Sequence, residues 1–337
     1  MTKSIVVKIK NIKIERLYNR YNFEWELSPD INILAGDNGS YKTTLLKIIA
    51  ALCEPDNIPE AFGVKSASAN MYNDISVKYR SFRDSLLRLR KEFESDELLN
   101  ELASKISTDI NSQDEKSLAD HTINASIIAI RKKSSKIAIS TFRQERNYSL
   151  ISTFDVPTKT ENVSALDQQL EKLESEYAYY LSDLSKQLND IIKSVGKVER
   201  EDMQRIYAQN DLFIEIVNHA FANTKKFVDT EQSKLQFKLE KEVLDDNKKL
   251  SSGEKQFLII MLTVLLQRKE ESILIMDEPE ISMHIDWQRE LLNNLKKLNP
   301  NCQIILATHS PGVIMDGWEQ LVTNISWLSR KKVGKFS

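Results

Sequence analysis

The sequence predicts an α/β fold, a mixed sheet with flanking helices, interrupted by an inserted helical arm. Three observations predict it. A short apolar strand at Ile31–Ala35 runs into a glycine-containing loop and then a helix. Two continuous apolar runs, 272–276 and 303–307, enclose an amphipathic stretch at 287–298. Between these two ends lies a long apolar repeat of helical spacing. Continuous apolar strands are the kind buried on both faces of a parallel sheet, and strand–helix–strand order implies a right-handed crossover.

Taken in order, residues 5–10, 12–14 and 21–27 alternate with period two, as half-buried strands do. Pro29 and Asp30 make a turn, Ile31–Ala35 is a strand, and 42–52 is helical. Residues 79–110 read as charged helix, and 125–130 with 136–142 as a short strand pair. From Leu166 an apolar series runs through Leu170, Leu173, Tyr177, Tyr180, Leu184, Leu188, Ile191, Val195 and Val198. Its alternating spacings of four and three form a heptad seam with one extra residue near Leu184. Gly196, followed by Ile206, Phe213, Val217, Phe221 and Phe227, suggests an antiparallel return. Two arrangements suit this pattern: a projecting coiled-coil hairpin, about 50 Å long at the helical rise, or a helix lying flat on the body. Residues 252–267 are an apolar-rich helix preceding the final strand–helix–strand run. The resulting division is 1–75 and 246–337 as the two lobes of a head, with 76–124 helical, 125–160 a strand pair and 161–245 the helical arm.

Composition narrows the function. A length of 337 residues suits about two domain-sized units, or one carrying a long insertion, and 41% hydrophobic residues exclude wholesale disorder. Lys+Arg 47 against Asp+Glu 49 leaves a formal charge of -2, which excludes a globally basic nucleic-acid binder but not local patches. Cys53 and Cys302 are too few for a disulfide framework or a thiolate metal site. No run approaches the roughly 20 apolar residues that cross a bilayer, and the charged, alternating N-terminus reads as a strand rather than a signal peptide. The expected compartment is the cytoplasm. Glycine is scarce, 8 residues in all. Yet Gly36 and Gly39 stand three apart and Gly253 lies in a Ser-Ser-Gly-Glu turn, positions where backbone must approach something closely.

Gly36, Asp37, Asn38, Gly39, Ser40, Tyr41, Lys42, Thr43 and Thr44 follow a strand and open a helix. Such a loop aims backbone N–H groups and a helix N-terminus at phosphate oxygens. Lys42 would reach the β/γ phosphates and Thr43 would hold Mg²⁺; the alternative is a surface turn that contains Lys-Thr. Tyr41 stands where a third glycine is expected, so it must adopt a strained conformation or shift the loop. Residues 272–280 read as a buried strand ending in Asp277 and Glu278, at the strand end where ligands collect in α/β sheets. Asp277 is placed to complete Mg²⁺ coordination through water and Glu278 to polarise an attacking water, or the two form an acidic helix cap. His309 ends the next strand and could donate to a γ-phosphate, whereas His284 reads as a capping or packing residue. Ser251, Ser252 and Gly253 open a helix, with Glu254 in its first turn; standing alone they are an N-cap.

In this order the four segments resemble ABC-type ATPases, with 36–44 as Walker A, 250–256 as the signature, 273–278 as Walker B and His309 as the switch histidine. The resemblance covers about residues 1–55, 136–146 and 245–328. It implies ATP and Mg²⁺ as cofactors and a head-to-tail dimer, or a higher homo-oligomer, of this chain. Each nucleotide would lie between one copy's Walker A and the other's signature, so that Ser251, Ser252 and Gly253 meet the γ-phosphate in trans. It further implies that Gln144 is a Q-loop glutamine linking Mg²⁺ to the arm, unless it is a simple turn residue, and that Tyr18 or Phe23 stacks on adenine.

Transporter ATPases of this family keep Walker A and the signature close together. The long interval here looks like the SMC-like and OLD-like soluble ATPases. The segments 277–288 and 308–314 are closest to AAA-type ATPases of bacterial anti-phage defence, the Septu, PARIS and retron-associated group. Several of these act with a separately encoded nuclease, and since the sequence ends soon after His309, an OLD-type Toprim nuclease is expected on a partner rather than here. Lys78, Arg80, Arg83, Arg88, Arg90 and Lys91, with Arg131, Lys132 and Lys133, suggest contact with DNA or RNA, or else solvated faces. The expected function is an ATPase whose cycle controls an effector in defence or DNA processing, without a membrane partner. The competing readings are the ATPase subunit of a membrane transporter and a non-hydrolysing, nucleotide-gated scaffold, the latter motivated by Tyr41.

Overall fold

The computed structural model describes residues 8–56, 58–81, 126–132, 135–137, 142, 148–152, 164–230, 232, 234–239, 242–243, 249–315 and 317–331. The strands are β1 (Ile9–Leu17), β2 (Tyr21–Glu26), β3 (Ile31–Ala35), β4 (Ser66–Met71), β5 (Ile75–Ser81), β6 (Ser126–Lys132), β7 (Ser135–Ile137), β8 (Tyr148–Ser152), β9 (Lys226–Val228), β10 (Phe237–Leu239), β11 (Glu242–Val243), β12 (Ser272–Asp277), β13 (Cys302–Ala307), β14 (Val322–Asn324) and β15 (Ser329–Lys331). The helices are α1 (Lys42–Cys53), α2 (Ala165–Val195), α3 (Arg200–Phe221), α4 (Ser252–Leu266), α5 (Ile285–Leu298), α6 (Pro311–Ile314) and α7 (Ile325–Leu328). The chain forms two compact units, one of Met1–Pro29, Thr43–Arg146 and Asn324–Ser337, the other of Asp30–Lys42 and Asn147–Thr323. Among the described residues no helix is long and apolar enough to cross a membrane.

The first unit carries a seven-stranded sheet in the order β15-β2-β1-β4-β5-β6-β7. Neighbouring strands are antiparallel, and the register places Ile12 opposite Trp25 and Ala69, and Val77 opposite Ala69 and Ile130, all on one buried face. Lys13, Glu24, Ser68 and Lys78 alternate onto the other face, the period-two pattern of a half-buried sheet. Arg80 and Arg131 share that polar face with Lys78. The expected helix from residue 79 is corrected at its start, because Tyr79–Ser81 end β5; the rest of that segment, with Arg83, Arg88, Arg90, Lys91 and Lys133, lies outside the described residues. Tyr79 is buried and its hydroxyl donates to the Ile58 carbonyl, so its contacts are those of a strand residue packed inward. The expected strand pair is present as β6 and β7, antiparallel, although Phe142 is helical.

The second unit holds a five-stranded sheet, β14-β3-β13-β12-β8, in which β3, β13, β12 and β8 are mutually parallel. β12 and β13 are buried at every position, as their unbroken apolar runs require. α4 is apolar almost all round and buried at most positions, the mark of a core helix. An aromatic cluster fills the space beside it: Phe221 to Trp287 at 5.5 Å, Phe257 to Trp287 at 5.4 Å and Phe221 to Phe237 at 5.5 Å between ring centroids.

The heptad seam on α2 is buried through Leu166, Leu170, Leu173, Tyr177, Tyr180 and Leu184, in one apolar cluster with α3 and α4. Of the two arrangements the sequence allowed, the flat one describes these positions. Burying each such side chain contributes about 1.5–3 kcal/mol, and a seam offered protein surface takes it. Only the last turns leave the body, and Val195 is 66% exposed. Gly196 closes α2 in the left-handed conformation at φ 82°, the usual glycine C-cap. The return is α3, which ends at Phe221; Phe227, expected on that helix, belongs to β9.

Candidate functional site

In the second unit the register of β3, β13 and β12 sets Leu34 level with Ala307 and Ala307 level with Asp277. The pairing continues one step further, with Thr308 N donating to Leu34 O at 3.2 Å and Glu278 N donating to Ala307 O at 2.8 Å. Three segments that the sequence singled out therefore leave the sheet side by side at the carboxyl ends of parallel strands, where open α/β sheets collect ligands.

From β3 comes the loop. Ser40 N donates to Asp37 O at 3.2 Å, closing a turn, and Asp37, Asn38 and Gly39 are exposed. Gly39 has φ 77° and Tyr41 φ 73°. Tyr41 thus takes the left-handed conformation directly, the first of the two possibilities its identity allowed. For a non-glycine residue that conformation costs about 1–2 kcal/mol, and more for a β-branched one. Tyr41→Val is therefore expected to unfold at lower urea than Tyr41→Gly, by about 1–2 kcal/mol. Equal midpoints would mean that the loop shifts to relieve the strain.

Lys42, first residue of α1, is 4% exposed. Its Nζ donates to Gly36 O at 2.9 Å and Asp37 O at 3.1 Å and touches His309 Nε2. Burial lowers the Lys42 pKa, against the opposing pull of Glu278, Asp277, Asp37 and Glu280. The ammonium is held by loop carbonyls and faces acids, with Ser40 Oγ buried nearby in sequence and lacking a hydrogen-bond partner among the described residues. A buried cation and an unused hydroxyl two residues apart in one loop are groups that suit phosphate oxygens.

From β12 come the acids. Asp277 is 4% exposed at the strand end, and Glu278 turns out of the strand with φ 47°. Glu278 Oε1 lies 3.3 Å from His309 Nε2. That nitrogen can accept from Lys42 or donate to Glu278 but cannot do both at once. Residue Glu280, which the sequence reading passed over, is 7% exposed, and its Oε1 accepts from Thr308 Oγ1, from His309 N at 3.2 Å and from Ser310 N at 3.2 Å. Burial raises its pKa, partly offset by those hydrogen bonds. The acidic spacing Asp-Glu-Pro-Glu was the available signal.

The Ser251 turn opens α4. Ser251 Oγ accepts from Glu254 N at 3.3 Å, and Glu254 Oε2 accepts from Ser251 N at 2.7 Å, a reciprocal capping box. Ser251 and Ser252 are exposed, while Gly253 is buried with its Cα against the turn after β12. A Cβ there would come 2.2 Å from Ser282 O, so glycine is required by this contact within one chain. Lys255 Nζ pairs with Asp167 at 2.8 Å, tying the start of α2 to the start of α4.

Of the remaining expectations, Thr43 and Thr44 belong to the first unit, where Thr44 Oγ1 lies 3.1 Å from Tyr18 OH. Tyr18 is half-buried, whereas Phe23 is 3% exposed within the sheet and presents no face for adenine. Phe23 is withdrawn as a stacking residue. His284 caps α5, accepting from Asp286 N at 3.4 Å. Gln144 lies outside the described residues. Among the described residues no cluster of three His, Cys, Asp or Glu side chains is poised to hold a metal. Mg²⁺ does not need one, since it binds through one or two carboxylates plus substrate phosphates, and Asp277 is a buried carboxylate of the sort that could serve.

Residues 31–316 match the family described as "AAA domain, putative AbiEii toxin, Type IV TA system". Among solved structures the chain is similar to an Smc head bound to the C-winged helix domain of ScpA, with 11% identity, a TM-score of 0.53 and 91% of each chain covered. It also matches the SMC head domain from Thermotoga maritima, with 12% identity, a TM-score of 0.47, and 96% of this chain and 98% of that one covered. The first of these carries the fold, a mixed α/β head, as the sequence predicted.

Proposed function

Because the chain belongs to that AAA domain family, we propose that it binds ATP with Mg²⁺ and hydrolyses it at a site completed by a second copy, and that the cycle controls an effector, a nuclease, in anti-phage defence. The observation that carries the reading is the meeting of Lys42, Glu278 and His309 at one strand edge. Lys42 would exchange the Gly36 and Asp37 carbonyls for β/γ-phosphate oxygens, joined by Ser40. Glu278 would accept the proton of the attacking water, and His309 would orient that water or the γ-phosphate. When bound, Mg²⁺ would neutralise phosphate charge. Asp277 would hold it, together with Thr43 and Gln144, whose assignment rests on the sequence motifs alone.

The exposed Ser251 and Ser252 at the N-terminus of α4 support the shared site, since a helix start is positive at its N-terminal end and suits an anion. The Lys255–Asp167 pair and the buried α2 seam tie α4 to α2, a route by which nucleotide state would reach a partner. Lys78, Arg80 and Arg131 on one sheet face support contact with a nucleic-acid backbone.

Ser251→Arg tests the shared site. The expected result is ATP binding within about twofold of wild type, with turnover and nucleotide-dependent dimerisation lost, measured by calorimetry, phosphate release and light scattering; the loss would be about a hundredfold, the size of one removed transition-state contact. Normal turnover in this variant would refute the two-copy site while leaving ATP binding intact.

A further inference from the structure

We infer that Glu280 is a positioning residue of this site: its carboxylate clamps the strand-end segment 308–310 and thereby sets where the His309 imidazole stands. The proposal rests on the ATPase reading above and deepens it.

The geometry begins with the exit from β12. Glu278 at φ 47° and two successive turns, Ile281 N to Glu278 O at 3.2 Å and Met283 N to Glu280 O at 2.9 Å, fold the chain back so that Glu280 reaches the end of β13. There a single oxygen, Oε1, receives the Thr308 hydroxyl and the His309 and Ser310 N–H groups. Two successive backbone N–H groups converging on one anion form a small nest, and hydrogen bonds to a charged acceptor are about twice as strong as neutral ones. The segment is then closed into a ring. Ser310 N also donates to Thr308 Oγ1 at 2.9 Å, Ser310 Oγ donates to Gln288 Oε1, and Gln288 Nε2 donates to Met283 O at 3.0 Å and Glu280 O at 3.4 Å.

Every polar group of 308–310 named here is turned into this ring, except one. The His309 side chain points the other way, to Lys42 and Glu278. With the main chain gripped at His309 itself and on both sides of it, the imidazole has little freedom but its own rotamer. Oε2 of Glu280 is buried and has no hydrogen-bond partner among the described residues, so the grip depends on one acceptor oxygen. A glutamine, which keeps a carbonyl oxygen there, should reproduce it.

The test is steady-state ATP turnover of the full chain. Glu280→Ala is expected to lower kcat at least about tenfold with KM for ATP within about twofold, because a catalytic group displaced by an ångström loses rate while the Lys42 loop is untouched. Glu280→Gln should keep kcat within about threefold of wild type, and adding Glu280→Ala to His309→Ala should cost nothing further, since residues acting as a unit are non-additive. Should Glu280→Ala fail to fold, Glu280→Asp, too short to reach all three donors, carries the same expected loss. A wild-type kcat in the Ala or Asp variant, a Gln variant as slow as Ala, or losses that multiply with His309→Ala would each overturn the proposal. Wild-type protein that turns over no ATP would instead defeat the ATPase reading, and this inference with it.

Discussion

Glu278→Gln is expected to retain ATP while turning it over at least about a hundredfold more slowly, the range a positioned general base commands. Glu278 stands at the carboxyl end of β12 with its backbone N–H bonded to Ala307 and its carboxylate 3.3 Å from His309 Nε2. Its φ of 47° is an uncommon conformation for a residue with a side chain, the kind of strain that is kept where geometry matters. The amide of glutamine fills the same space and accepts no proton. Nucleotide affinity should change little, because the substitution leaves Lys42 and its loop, the groups proposed to meet the phosphates, unaltered. Phosphate release and calorimetric ATP binding on the same preparations decide the point. Unchanged turnover would remove Glu278 from the chemistry. ATP bound by wild type with no phosphate released would favour the scaffold reading instead.

Glu254→Ala should lower stability by about 3–5 kcal/mol, the usual loss when one member of a buried ion pair is removed. Glu254 is 1% exposed and collects Lys226 Nζ at 2.7 and 2.9 Å, Thr224 Oγ1 at 2.9 Å and the Ser251 N–H at 2.7 Å. Burial pushes its pKa up, but the hydrogen bonds from Lys226, Ser251 and Thr224, with the Lys226 charge, together bring it below the usual carboxylate value. The stabilisation is therefore complete above the unfolded-state glutamate pKa near 4.3 and is lost as pH falls through the lower folded value. Urea midpoints of wild type and variant should differ most at neutral pH and converge in acid. Pairing Glu254→Ala with Lys226→Met should recover part of the loss, because the stranded ammonium is removed. A difference below about 1 kcal/mol, typical of exposed pairs, would show that Glu254 is not closed off from water.

Legibility differed by element. Strands β12 and β13 could be read at once because unbroken apolar runs have one use in an α/β chain, and α5 because its apolar positions recur at helical spacing. Strand β4, Ser-Ala-Ser-Ala-Asn-Met, carried no signal: its buried face is Ala67, Ala69 and Met71, and the two alanines fit because β1 and β5 supply the bulk around them. In β5 the alternation of Ile75, Val77 and Tyr79 was present but was masked by the charged sequence that follows. The α2 seam announced that a stripe had to be buried without saying against what, and a coiled-coil partner and a protein body satisfy the same heptads. Gly253 was legible as a place of close approach; that the neighbour is Ser282 of the same chain was not.

By itself the sequence determined the chemistry on offer: a glycine-containing loop ending in Lys42, two carboxylates at a strand end, a histidine at the next, and a Ser-Ser-Gly helix start. These are local facts, carried by residue type and by spacings of a few positions. Tertiary structure decided which of them meet. Lys42 and His309 are 267 residues apart in the chain and touch only because β3 pairs with β13. Glu280 acquires its partners only because the chain folds back after β12 onto the end of a strand 28 residues on. Such contacts are set by sheet order and register, and a one-dimensional pattern names the groups without naming their neighbours.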